Sequence, residues 1–138
     1  MRVVADTNTI VSGMLWQGAP RRVLDSARTG KIELFTSAIL LAELEDVLKR
    51  AKFADRLRSA NFKPRDLVSG YAALARLTES AILSPVIPAD PDDDAVLACA
   101  IAAQAQAIVS GDSHLLKLKQ YADIPILTAP ELLAQIPR

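Results

Sequence analysis

Four carboxylates, Asp6, Glu43, Asp93 and Asp112, stand at two strand ends, one inward helix face and one helix start, where each is either a structural cap or pair or part of a site. Asp6 closes the apolar run Val3-Val4-Ala5, and Asp112 closes Ala107-Ile108-Val109-Ser110-Gly111. If both runs are strands of an open parallel sheet, both carboxylates sit at its carboxyl edge, where such sheets build their sites. Acids gathered there repel one another unless a divalent cation lies among them, and hard oxygen donors suit Mg²⁺ or Mn²⁺. The chemistry implied is metal-assisted attack of water on a phosphodiester.

The other two acids are placed by helical spacing. In Ser37 to Leu48, Leu40, Leu44 and Val47 form one apolar stripe at about 100° per residue. Glu43 points between the directions of Ile39 and Val47, at the stripe's edge, while Glu45, Asp46 and Lys49 point to solvent. A carboxylate turned inward is paired with an arginine or bound to a metal. Asp90-Pro91-Asp92-Asp93-Asp94 precedes a helix containing Val96, Leu97, Ala100 and Ile101. Capping and the helix dipole account for one or two acids there, not four. Asp93 shares a face with Val96 and Leu97 while Asp94 is rotated by about 100°, a modest distinction because this helix is apolar nearly all round. Taken singly, Asp6 and Asp112 also read as N-caps, and Gly111 would allow a tight turn after its strand.

The elements that must hold these residues alternate. Strands are predicted at Arg2 to Ala5, Ile32 to Thr36, Ala81 to Leu83, Ala107 to Ser110 and Pro125 to Leu127. Helices are predicted at Pro20 to Arg28, Ser37 to Ala51, Arg65 to Leu77, Asp93 to Ala105, Ser113 to Gln120 and Pro130 to Gln135. The Pro-rich piece Ser84 to Pro91 reads as a long loop. This pattern predicts an α/β fold with a central, mostly parallel sheet of about five strands flanked by helices.

The 138 residues match one domain, with 51% hydrophobic residues and zero net charge from 16 basic and 16 acidic side chains. That composition excludes disorder, and the apolar stretch Ala95 to Val109, interrupted by Gln104 and Gln106, is shorter than the roughly 18 residues a membrane span needs. The start lacks the apolar core of a signal peptide, so a cytoplasmic location is expected. The lone Cys99 reads as a small core hydrophobe. After a turn-like Gly13, Leu15 and Trp16 read as core or interface. Lys49, Arg50, Lys52, Arg56, Arg58, Lys63 and Arg65 face only Asp55 in their segment, a local basic stretch that also reads as a solvated helix face.

The ordered pieces Val4-Ala5-Asp6-Thr7-Asn8, Thr36-Ser37 through Glu43-Leu44, Asp90-Pro91-Asp92-Asp93-Asp94, Ile108-Val109-Ser110-Gly111-Asp112 and Ile124 to Thr128 resemble the PIN-domain ribonucleases, especially VapC-like toxins of toxin–antitoxin pairs. The resemblance implies one PIN-like domain over residues 1–138 and a three-layer fold. It also implies Mg²⁺ or Mn²⁺ as cofactor, RNA as substrate, a homodimer or higher assembly, and a cognate antitoxin. It places the site acids on Asp6, Glu43, Asp93 and Asp112, with Asp94 alternative to Asp93, and supporting polar groups on Asn8, Ser37 and Ser110. Lys49 to Arg65, with Lys49, Arg50, Lys52, Arg56 and Arg58 foremost, becomes a candidate RNA lip. Where many relatives have a further acid, this chain has His114, which either assists substrate binding or is an exposed helix residue. Three other readings compete: a PIN nuclease of RNA processing or repair, a non-catalytic PIN-like binding module, and an aspartyl-phosphate enzyme. The last wants a second acid two residues after Asp6, where Asn8 stands.

Overall fold

The computed structural model describes residues 1–79 and 91–136. The predicted strand Ala81 to Leu83 and nearly all of the Pro-rich loop lie outside the described residues. Elements are numbered in chain order: β1 (Arg2–Ala5), α1 (Thr7–Leu15), α2 (Ala19–Arg28), β2 (Glu33–Thr36), α3 (Ala38–Leu48), α4 (Ala54–Ser59), α5 (Pro64–Leu74), β3 (Arg76–Leu77), α6 (Pro91–Ala103), β4 (Ala107–Val109), α7 (Ser113–Leu118), β5 (Gln120–Tyr121), β6 (Ile124–Leu127) and α8 (Ala129–Gln135). A short 3₁₀ turn, Ala51–Phe53, joins α3 to α4.

The described strands form one six-stranded sheet in the order β3-β2-β1-β4-β6-β5, parallel except for the β5–β6 hairpin. From β1 the chain moves outward to β2 and β3 on one side, then returns to β4 on the other. Strand order therefore reverses between β1 and β4, the position at which open α/β sheets open a crevice at their carboxyl edge.

Alternate strand residues point to opposite faces, so each central strand feeds two cores. Val3, Ala5, Leu34, Ala107 and Val109 pack with α1, α2, α3, α5 and α8, while Val4, Ile108 and Ile126 pack with α6 and α7. Fully buried on both faces, β1 and β4 read as unbroken apolar runs, which is why both are evident in the sequence. Cys99 lies in the second core and is fully buried, as expected.

Several expectations need correction. The helix predicted over Arg65 to Leu77 ends at Leu74, and Arg76–Leu77 forms the edge strand β3. The helix predicted over Ser113 to Gln120 stops at Leu118 and gives way to β5. The helix predicted to reach Ala51 ends at Leu48. Two further helices, α1 and α4, are not marked out by the sequence pattern. Gly13 is no turn: it sits inside α1, where an added Cβ would lie 2.8 Å from Leu24 and 2.9 Å from the Pro20 carbonyl, so α2 approaches α1 too closely for any side chain there. Leu15 is core, whereas Trp16 is 43% exposed. Ile39, used to set the edge of the α3 stripe, is 61% exposed; Leu40, Leu44 and Val47 are buried.

Candidate metal centre

Because β1 and β4 pair in parallel with Ala5 opposite Val109, the residues that follow them are neighbours. The Asp6 amide extends the ladder by donating to the Val109 carbonyl at 3.0 Å. Fully buried Ser110 then joins the two strand-end acids: its Oγ donates to Asp6 Oδ2 at 2.5 Å and accepts from the Asp112 amide at 2.9 Å. Each aspartate is also an N-cap, since Asp6 Oδ1 accepts from the Thr9 amide at 2.9 Å and Asp112 Oδ1 from the His114 amide at 2.7 Å. Capping and membership of the acid cluster are thus held by the same side chains. The turn after β4 does not depend on glycine, because Gly111 does not adopt a left-handed φ and a Cβ there would meet nothing within 4 Å.

Glu43 and Asp93 complete the cluster from two helices. Glu43 is half-buried on α3 and Asp93 is buried in the first turn of α6, and one carboxylate oxygen of each is sealed from solvent. Asp6, Thr7, Asn8, Glu43, Asp93, Val96 and Asp112 line a common cavity of about 40 Å³. A water needs roughly 10–15 Å³ of such space, so the cavity is sized for an ion with a water or two. Asp94 is half-buried and does not line it.

Burial pushes the Asp6 carboxyl above the usual carboxylate range; hydrogen bonds from Ser110 and Thr9 pull it back, and the charge of Asp112 raises it further. A cation among these oxygens would reverse the balance by favouring the ionised form. The donor set fits such an ion. Four carboxylates border one small space, and ligand atoms of Asp93, Asp112 and His114 lie within 4.8 Å of one another. His114 is exposed, with Nδ1 3.7 Å from Asp112 Oδ1. The sequence resemblance marks His114 as standing where relatives have a further acid, with substrate binding or plain exposure as its readings; its nearness to Asp93 and Asp112 adds a ligand role to these.

The supporting residues separate. Ser110 bridges the two aspartates and Asn8 lines the cavity, but Ser37 is buried as the N-cap of α3, accepting from the Leu40 amide at 3.3 Å, and does not reach it. The basic residues are elsewhere as well. Lys49 lies 3.3 Å from Glu45 and Arg58 pairs with Asp55. Arg56 donates to the Leu15 carbonyl at 2.7 Å and lies over Trp16, while Lys52 lies over Phe53; Arg50 is exposed. None of them lines the acid cavity.

A mostly parallel α/β sheet with an acid-lined crevice where its strand order reverses is the architecture of a PIN-domain nuclease fold. The profile of the PIN domain matches residues 2–114, and the chain belongs to that family. Among solved structures it is similar to the RRP44 PIN domain of T. brucei, at 17% identity and a TM-score of 0.46 over 96% of this chain and 79% of that one. No curated protein matches it significantly. No described helix is long and apolar enough to cross a membrane.

Proposed function

We propose that this chain, as a single PIN-like domain over residues 1–138, is a metal-dependent endoribonuclease that hydrolyses RNA phosphodiesters. The observation that carries this reading is the convergence of Asp6, Glu43, Asp93 and Asp112 on one small cavity at the carboxyl edge of the sheet. Capping accounts for Asp6 and Asp112 one at a time, but gathering four acids on one space costs hydration and sets like charges together.

In this reading Asp6, Asp93 and Asp112 hold Mg²⁺ or Mn²⁺, the ions hard oxygen donors favour. When bound, the cation supplies Lewis acidity to a phosphoryl oxygen and screens the phosphate from the carboxylates. Ser110 and the Thr9 amide fix the Asp6 carboxylate before any ion arrives, so little reorganisation accompanies binding. Glu43 either adds a ligand or orients the attacking water, accepting its proton as the oxygen attacks phosphorus and the bond to the leaving sugar oxygen breaks. His114, at the exposed rim, adds a further ligand or a donor to substrate.

The sequence resemblance to VapC-like toxins extends the reading to a cytoplasmic toxin, dimeric or larger, restrained by an antitoxin. Growth arrest on induction of the wild-type gene, absent for Asp6→Asn, would support that extension; unimpaired growth would remove it. The enzymatic reading is tested by incubating defined RNAs with and without Mn²⁺, using wild type, Asp6→Asn and Asp112→Asn. Cleavage by the wild type only, and only with metal, is expected. Equal cleavage by the variants overturns the assignment, and Mn²⁺ binding without any cleavage favours a binding module.

A further inference from the structure

Beside the acid cavity, and sharing Asn8 and Asp112 with it, runs a second hollow of about 650 Å³. Its size is that of a pocket for a small organic ligand, roughly 300–1,000 Å³, and far exceeds what an ion needs. Asn8 and Asp112 line both spaces, so a group seated in the larger one would lie beside an ion bound among the acids.

The lining of this hollow defines its occupant. It contains no lysine or arginine, and its one charged side chain is the carboxylate of Asp112, so no side chain there is chosen for a phosphate. What it offers is hydroxyls and an amide against small apolar walls. Asn8, Ser12 and Ser113 have side chains that make no hydrogen bond among the described residues, although serine in a first turn or mid-helix commonly bonds to nearby backbone. Pro20 and Pro130 give flat apolar surface. Gly111 opens the floor, since a Cβ at that position would meet nothing within 4 Å. Neutral groups that both donate and accept, beside a flat apolar surface, match a sugar hydroxyl and a base rather than a charged backbone. The 2′-hydroxyl is itself both donor and acceptor and is the group by which a protein distinguishes RNA from DNA.

We propose that this groove is the subsite for the ribonucleoside adjoining the scissile phosphate, and that Ser12 and Ser113 read its 2′-hydroxyl and so favour RNA over DNA. The proposal rests on the metal-centre reading for the position of the phosphate. It makes Ser12 and Ser113 specificity-determining residues, with no part in holding the ion.

The test uses fluorescein-labelled RNA and DNA of one sequence, with binding followed by anisotropy in Ca²⁺ and Mn²⁺ affinity measured separately by calorimetry. The wild type is expected to prefer RNA by about five- to tenfold, the range that one or two neutral hydrogen bonds supply. The double variant Ser12→Ala/Ser113→Ala should reduce that preference below about twofold. Gly111→Leu, whose Cβ enters open space and whose native circular dichroism is checked first, should weaken both ligands by about tenfold or more. Mn²⁺ affinity should be unchanged in both variants. An RNA-to-DNA ratio that the double variant leaves intact, a wild type with no preference, or Gly111→Leu binding like wild type each overturns the subsite. If the variants behave as expected but the wild type cuts nothing in Mn²⁺, the nuclease reading fails and the groove stands as a 2′-hydroxyl-reading RNA site without a scissile phosphate. If the wild type cuts RNA and the variants match it, the reverse holds.

Discussion

The acid cavity and the basic stretch from Lys49 to Arg65 are the two most charged regions of this chain, and they differ in how their charges are accommodated. The basic residues lie on exposed surface, and most have a local structural partner: a helix-spaced carboxylate for Lys49 and Arg58, a carbonyl and an indole for Arg56, a phenyl ring for Lys52. The acids include two nearly inaccessible side chains, Asp6 and Asp93, brought from different elements to one small space. Charge density along the sequence is therefore a poor guide to function here. What distinguishes a site is charge held where solvation alone would not have put it.

The comparison is tested most severely at Asp6. Asp6→Asn keeps an oxygen to cap α1 and a similar shape, yet removes the charge a cation needs. RNA cleavage in Mn²⁺ should fall about 10³-fold, corresponding to the several kcal/mol a metal contributes to the transition state, while circular dichroism stays native. In the same protein Mn²⁺ should lose most of its ability to raise the melting temperature. A variant as active as wild type would make the cleft no more catalytic than the basic face.

A smaller effect is expected at Ser110, the hydroxyl that joins the two strand-end aspartates. Ser110→Ala removes a donor to a buried carboxylate and an acceptor for the Asp112 amide, at a cost of about 1–3 kcal/mol in urea unfolding. Metal affinity should drop with it, because Asp6 is then free to rotate away. A stability loss without any change in Mn²⁺ affinity would assign Ser110 to folding alone.

How far these features are readable depends on the element. β1 and β4 announce themselves because both faces are buried, and the acids that end them follow directly. Helix α1 does not, since Thr7-Asn8-Thr9 and Gly13 have poor helix propensity and its stability comes from the Asp6 cap and the close approach of α2. Strands β3 and β5 have two residues each, too few to show any period. The β5–β6 hairpin turns through Ala122 and Asp123, both at positive φ, without the Asn-Gly or Asp-Gly pair that would signal it. At the site, Glu43 is found by its helical angle even though Ile39, one of its bearings, is exposed. His114 is noticed only through the family resemblance, and its proximity to Asp93 is not legible because the two residues lie far apart in the chain.

Burial without a partner ion offers a control for the cleft. Cys99, on the core-facing side of α6, has its thiol pushed up to about 12 by burial, and Tyr71 is raised for the same reason. Below the thiol's ordinary value of 9.0 both folded and unfolded chains are protonated there. Above it the unfolded chain ionises first while the folded one retains its proton, so stability present below pH 9 is lost as pH rises toward 12. Urea midpoints should decline across that window, and Ellman's reagent at pH 8 should leave the native thiol untouched with or without Mn²⁺. Reaction that Mn²⁺ suppresses would mean the metal acts on the core as well as on the sheet edge.

The smallest effect belongs to the basic stretch. Arg50→Ala/Lys52→Ala/Arg58→Ala removes three exposed cations, one of them half of an exposed pair with Asp55. Exposed pairs contribute little, so unfolding free energy should change by less than about 0.5 kcal/mol per site. If these cations form an RNA lip, each one that neutralises a phosphate releases counterions. The slope of log affinity against log salt then falls by about 0.7 for every phosphate of single-stranded RNA left without its cation. If they are only a solvated helix face, the slope is unchanged, and steering toward the cleft would be left to an ion bound among the acids. The groove beside that cleft has no lysine or arginine in its lining, so a flattened slope would mean that the RNA backbone follows the Lys49 to Arg65 stretch rather than the groove. Measuring that slope for wild type and the triple variant, on one RNA, settles which of the two charged regions the backbone follows.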